Sequence, residues 1–294
     1  MSTTLNDDYP KKPVELSDDA LKAKAIEQFQ KQQHEQAAAA VTTNQTSKFP
    51  TEIIKLPSQG KFYPIGHPLA NGTVEMKYMT AREEDILTNQ SYIRQGVVLD
   101  KLFQSLLITQ FDYNDLLVGD KNAIMIAARV LGYGKEYEFT AKSPSGKDQP
   151  VTVDLTKVED KQIDWDFIAA NQREFELTLP ASQRVVTVQL VTHGVQKKID
   201  TELKGLEKLK KDATVTTMLK HVITSVDGDT KTQTIRHFVD NELFAIDSRY
   251  IRNKISDVTP DVDLSIELTD EEDGYPFRGK IAIGLDFFWP DSKV

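Results

Sequence analysis

Three consecutive carboxylates, Glu83, Glu84 and Asp85, form the densest acid–base cluster in this chain. Two carboxylates share proton-transfer work only when both reach one substrate. Consecutive residues of a helix point in different directions around its axis, and Thr80-Ala-Arg-Glu83 has the form of a capping box. The cluster therefore reads as stabilisation of a helix start, where negative charge meets the positive end of the dipole. Glu271, Glu272 and Asp273 sit in an expected turn and would need several further oxygens to hold a hard cation. The five histidines, His34, His67, His193, His221 and His237, show neither HxxxH nor HExxH spacing. No serine lies in a Gly-x-Ser-x-Gly elbow, and no glycine run matches a phosphate loop. The 294 residues contain no cysteine, which removes disulfides, thiolate zinc sites and cysteine nucleophiles. The expectation is a non-enzymatic protein with no catalytic residues, no metal and no cofactor.

Residues suited to holding a partner are easier to find. Phe287, Phe288 and Trp289 are consecutive in what reads as a final strand, GKIAIGLDFFW, so their side chains should alternate between faces. Either flanking elements bury all three, or one or two anchor an interface, where a central aromatic is worth roughly 2 kcal/mol or more. Arg249 and Arg252, three apart on one expected helix, are either an internal ion-pair face or a second partner contact. Near the start, Ser17 caps a helix on which Leu21, Ala25 and Phe29, with Ile26 alongside, form a thin apolar stripe.

Composition narrows the partners. Acidic residues outnumber basic ones by 45 to 36, a net charge of −9 that repels nucleic acid unless a local basic face exists. The short cluster Lys208, Lys210 and Lys211 reads as a solvated helix face. The N-terminus lacks the apolar core of a signal peptide, and the longest apolar run, Ala123 to Leu131, is interrupted by Arg129 and too short for a bilayer. A soluble protein without membrane insertion is expected.

The elements that position these residues follow from periodicity and turn chemistry. Residues 1–48, rich in Gln, Lys, Ala and Thr, read as a flexible N-terminal leader with one short helix. A first α+β domain over 49–160 starts with strands TEIIKLP and TVEMKYM. Helices follow at about 81–93, 97–109 and 120–131, the last with Asp120 as its N-cap and Gly132 and Gly134 as its stop. A hairpin, EYEFT to VTVDL, closes that half. A second α+β domain over 161–294 has strands FELTLP and VVTVQLVTH, then helices at about 200–211, 214–224, 235–245 and 247–257. Asp247 caps the last helix, and a second hairpin begins at DVDLSIELT. Phe139 lies nineteen residues beyond Asp120, as Ile266 does beyond Asp247. The fold class is α+β: helical segments alternating with short antiparallel sheets and hairpins, in two pseudo-repeated strand–helix–hairpin halves.

The blocks LPSQGKFYP, MTAREEDILTN, LVGDKNAIMIAARVLGYG, IDSRYIRNKI and FFWP resemble the baseplate hub protein family of T4-like contractile-tailed phages. The resemblance spans about Leu56 to Pro290 and leaves the leader outside. It implies a structural tail component of the virion, assembled in the host cytoplasm, whose partners are other tail and baseplate proteins or copies of itself in a symmetric ring. It also implies cysteine pairs in the two hairpin turns, which here read TAKSPSGKD and TDEEDGYPF. Turn chemistry must then hold those loops. An assembly chaperone absent from the mature virion is the alternative, and a tail-associated cell-wall hydrolase a more distant one. If the leader's stripe docks on a neighbour, deleting residues 1–48 leaves the remaining fold intact and weakens incorporation into baseplates. Unchanged incorporation in purified tails would reduce the leader to an extension.

Overall fold

Alternation decides the first strands. In Thr73–Lys77 and in Val185–Gln189 every second residue is buried, which is the mark of a sheet with one face on the core. The computed structural model describes residues 50–163, 165 and 172–288. These residues are mixed α+β, with eight helices among four small antiparallel sheets. None of the described helices is long and apolar enough to cross a membrane. The leader helix with Leu21 and Phe29, and Trp289 at the other end, lie outside the described residues.

The order of elements repeats. Strands β1 (Thr51–Lys55) and β2 (Thr73–Lys77) pair, and three helices follow: α1 (Ala81–Leu87), α2 (Gln90–Gln95) and α3 (Val98–Leu106). The chain leaves α3 as a single bridge, Leu107 to Met76, at the edge of β2. Helix α4 (Val118–Tyr133) then leads to the hairpin β3 (Glu136–Lys142) and β4 (Asp148–Asp154). In the second half β5 (Glu174–Thr178) pairs with β6 (Val185–Gln189), and α5 (His193–Lys208) and α6 (Thr214–Val222) follow. The chain leaves α6 as β7 (Ile223–Val226), which joins the edge of β6 as Leu107 joins β2. Helices α7 (Thr232–Asn241) and α8 (Ala245–Val258) lead to the hairpin β8 (Ser265–Thr269) and β9 (Pro276–Lys280).

Several expected boundaries move, each for a local reason. The helix expected over 81–93 is two, because the Asn89 side chain accepts from the amides of Ser91 and Tyr92 and starts a new helix. Thr192 accepts from the Val195 amide in the same way, so α5 starts at His193 and the strand ends before VTH. β7 is not legible in the sequence, because ITSV is too short to separate from the end of a helix by periodicity. The final strand stops at Lys280, and Asp286–Phe288 is a 3-10 turn. The domain boundary expected between residues 160 and 161 falls inside one compact unit, Phe49–Val294. The loop after β1 explains why: Phe62 packs on Phe175 with ring centroids 6.4 Å apart, and Arg173 Nε donates to the Phe62 carbonyl at 2.8 Å.

Asp120 and Asp247 are not caps. Each is the third residue of its helix, fully buried, and turned back onto the Leu-Pro turn that leaves the first strand of its half. Asp120 accepts from the Ser58 amide at 2.9 Å and the Tyr63 hydroxyl at 2.7 Å. Asp247 accepts from the amides of Ala181 and Ser182 at 2.8 and 3.0 Å. The turns start Leu56-Pro57 and Leu179-Pro180, so one device is used twice. Burial raises the Asp120 carboxyl to about 6, against the pull of its Tyr63 and Ser58 hydrogen bonds. Replacing Asp120 with Ala leaves two buried donors without an acceptor and should cost about 3 kcal/mol, while Asp247→Ala frees two amides of a partly exposed turn and should cost about 1.5 kcal/mol. Urea unfolding of the two single variants measures this, and losses under about 1 kcal/mol would show that neither aspartate holds its turn.

Candidate partner-binding surface

The two described members of the C-terminal aromatic run do not alternate faces. A 3-10 turn places Phe287 and Phe288 side by side, and both are buried. Phe287 meets Tyr137 edge to face at 4.7 Å, and Phe288 lies 6.4 Å from Phe103. Arg129, itself buried, donates through Nε to the Phe287 carbonyl at 3.1 Å and through Nη1 to the Gly134 carbonyl at 3.0 Å. These aromatics fasten the end of the chain to α3, α4 and β3. As exposed partner anchors they are corrected: each is closed off within its own chain.

Among the described residues Arg249 and Arg252 do not form the internal ion-pair face. Both are exposed on α8, and neither makes an ion pair with another described residue. Beside them are two side chains that sequence reading missed: Phe244, which precedes α8 and is 57 % exposed, and Ile246, 67 % exposed. Ile246, Arg249 and Arg252 follow at steps of three, so they form one oblique stripe. Asp247 fixes the start of the helix beneath it. A signal was available: in FAIDSRYIRNK the apolar residues Phe244 and Ile246 flank the buried Asp247 rather than following its inward face.

The chemistry-bearing clusters are satisfied internally. Glu83 is buried and accepts from Lys77 Nζ at 2.8 Å, the Thr80 amide at 3.0 Å and the Ser105 hydroxyl at 2.8 Å, while Glu84 and Asp85 are exposed. Asp100 accepts from Lys121 Nζ at 2.8 Å and lies 3.3 Å from His193 Nε2, in an open cleft of about 470 Å³ between α3, α4 and α5. Glu202 takes a two-pronged contact from Arg236, at 2.8 and 2.6 Å, and lies 2.8 Å from His221 Nε2. Among the described residues no three His, Asp or Glu side chains converge as metal ligands. The hairpin turns also meet: Asp270 accepts from the Ser145 amide at 3.1 Å and the Glu272 amide at 2.9 Å. Each carboxylate is therefore a joint between elements.

Comparison with known proteins finds no family model, no curated protein and no solved structure that matches this chain.

The joints carry a pH signature. Burial pushes Glu83 and Asp100 upward, but their hydrogen bonds and cationic neighbours outweigh it and hold each at about 2. Arg236, followed by His221, holds Glu202 at about 2 against its burial. A carboxyl depressed in the folded state contributes stability above its unfolded pKa and loses it as pH falls through the folded value. Unfolding free energy should therefore fall from about pH 4 to pH 2, below the range in which the raised Asp120 carboxyl takes up its proton and opposes the loss, and Glu83→Gln should flatten part of that slope. Identical slopes for the variant and the parent in urea titrations would remove Glu83 from this role.

Proposed function

We propose that this chain is a structural subunit of a contractile-tail phage baseplate hub, joining neighbouring proteins rather than transforming a substrate. One observation supports it most: the α8 stripe of Phe244, Ile246, Arg249 and Arg252 is exposed, and its arginines have no ion pair among the described residues. Aromatic groups and arginine concentrate binding energy at interfaces, and arginines beside exposed apolar groups give a contact both adhesive and selective. The long ordered sequence blocks that resemble the hub family supply the setting. The buried carboxylates Glu83, Asp120 and Asp247 fit the same reading, because each is consumed in holding helices and turns.

The test is mass spectrometry of purified tails. The chain is expected in a fixed stoichiometric ratio to the other baseplate proteins. Arg249→Glu combined with Arg252→Glu should reduce its incorporation by about ten-fold, the size of effect expected from reversing interfacial charge, without lowering its unfolding midpoint. Absence of the parent chain from complete tails would sink the subunit reading and favour an assembly chaperone. Normal incorporation of the charge-reversed variant would move the contact away from α8.

A further inference from the structure

The two halves of the chain are joined by a short antiparallel contact. At the start of α4 the Val118 amide donates to the Val191 carbonyl at 3.1 Å, and the His193 amide donates to the Leu116 carbonyl at 2.7 Å. Leu117 and Thr192 are the paired residues between those two bonds. The joint thus links the start of the last long helix of one half to the strand–helix junction of the next.

The repeat supplies both sides of this joint a second time. Val74 and Met76 are the buried positions of β2 as Val186 and Val188 are of β6, which sets Met79, Thr80 and Ala81 beside Val191, Thr192 and His193. The shared Asp120 and Asp247 positions set Leu243, Phe244 and Ala245 beside Leu116, Leu117 and Val118. Yet the second joint is not made within the chain. Among the described residues the amides of Ala81 and Ala245 and the carbonyls of Met79 and Leu243 have no hydrogen-bond partner. Leu117 is buried, whereas its counterpart Phe244 is exposed. A closed two-fold would have used both joints, so the relation between halves is open and leaves one unpaired, solvent-facing edge at each end.

We propose that these two surfaces bind one another between copies of this chain, head to tail, with Phe244 of one copy paired to Thr80 of the next. The Ala245 amide then meets the Met79 carbonyl, and the Ala81 amide meets the Leu243 carbonyl. Charge agrees in sign: Arg249 and Arg252 are exposed beyond Phe244, and beyond Thr80 the exposed Glu84 and Asp85 outnumber the exposed Arg82. A contact of this kind is heterologous, so it builds a ring where the rotation closes and a filament where it does not. This deepens the assembly reading above and rests on it for the setting, naming a second copy as the partner of the α8 stripe.

The absence of cysteine from the sequence gives a clean test. Residues paired between two ladder bonds approach within about 4.5 Å at Cα, inside the range a disulfide spans. Full-length Thr80→Cys and Phe244→Cys are mixed and oxidised. A covalent heterodimer of the two variants is the expected main product, and the double variant should give closed rings or a ladder of multimers. A predominant Phe244→Cys homodimer, or no heterodimer at all, would overturn the pairing. A second measurement does not depend on cysteine chemistry. In sedimentation, Arg249→Glu with Arg252→Glu should lose self-association, as should Glu84→Arg with Asp85→Arg, and mixing the two variants should restore it. Failure to restore would also overturn the proposal. If both experiments fail while tail incorporation still depends on Arg249 and Arg252, the stripe binds a different protein and the subunit reading stands.

Discussion

A buried carboxylate in the first turn of a long helix is the constraint around which this fold is built. Asp120 and Asp247 are enclosed, and a desolvated carboxylate is tolerated only where donors converge on it. Here the donors come from main-chain amides of a Leu-Pro turn far away in sequence, so each aspartate ties the start of its helix to the end of a strand. Position in the first helical turn adds the favourable end of the helix dipole. In the first half Tyr63 extends the device: its hydroxyl donates to Asp120 and accepts from the Leu117 amide, which draws the long loop after β1 into the core. Phe62 and Leu69 of that loop are fully buried as a consequence.

The same constraint limits which residues can face outward. Gly60, with φ near 77°, has the Ala70 carbonyl 2.3 Å from where a Cβ would stand, so the turn beside Asp120 closes only with glycine there. The second half has a shorter turn, closed by the Leu179 amide on the Arg184 carbonyl, and no counterpart of Tyr63. That turn meets the start of α8 through the Ala181 and Ser182 amides on Asp247 and leaves Phe244 and Ile246 exposed.

Much of this was legible in the sequence because it depends on local patterns. Strands β2 and β6, the two hairpins and the shared spacing of Asp120 to Phe139 and Asp247 to Ile266 are all local regularities, and the α+β architecture follows from them. The role of the aspartates was not legible. An acidic residue before an apolar run reads as a cap, and only the tertiary position of the Leu-Pro turn shows that it reaches across the fold. Burial of Phe287 and Phe288 is one of the two readings the sequence offers; the 3-10 turn is not legible, because it depends on Arg129 drawing on the Phe287 carbonyl from another element. Arg249 and Arg252 could be listed as candidates, but their free state depends on what neighbouring elements withhold from them.

The contrast between equivalent positions gives the surface its meaning. Gly119 of α4 lies so close to the next segment that a Cβ there would be 1.9 Å from the Pro260 carbonyl, while Ile246, its counterpart in α8, projects a full side chain into open space. The first half has been fitted to an internal neighbour at this point, down to the loss of a side chain. The second half has kept a large apolar residue beside an aromatic one, with cations alongside and main-chain groups unused. A surface with no partner is under no constraint to carry such residues, and solubility favours replacing them with polar ones. At equivalent places in the repeat, one half is closed by an internal neighbour and the other presents Phe244 and Ile246 to solvent.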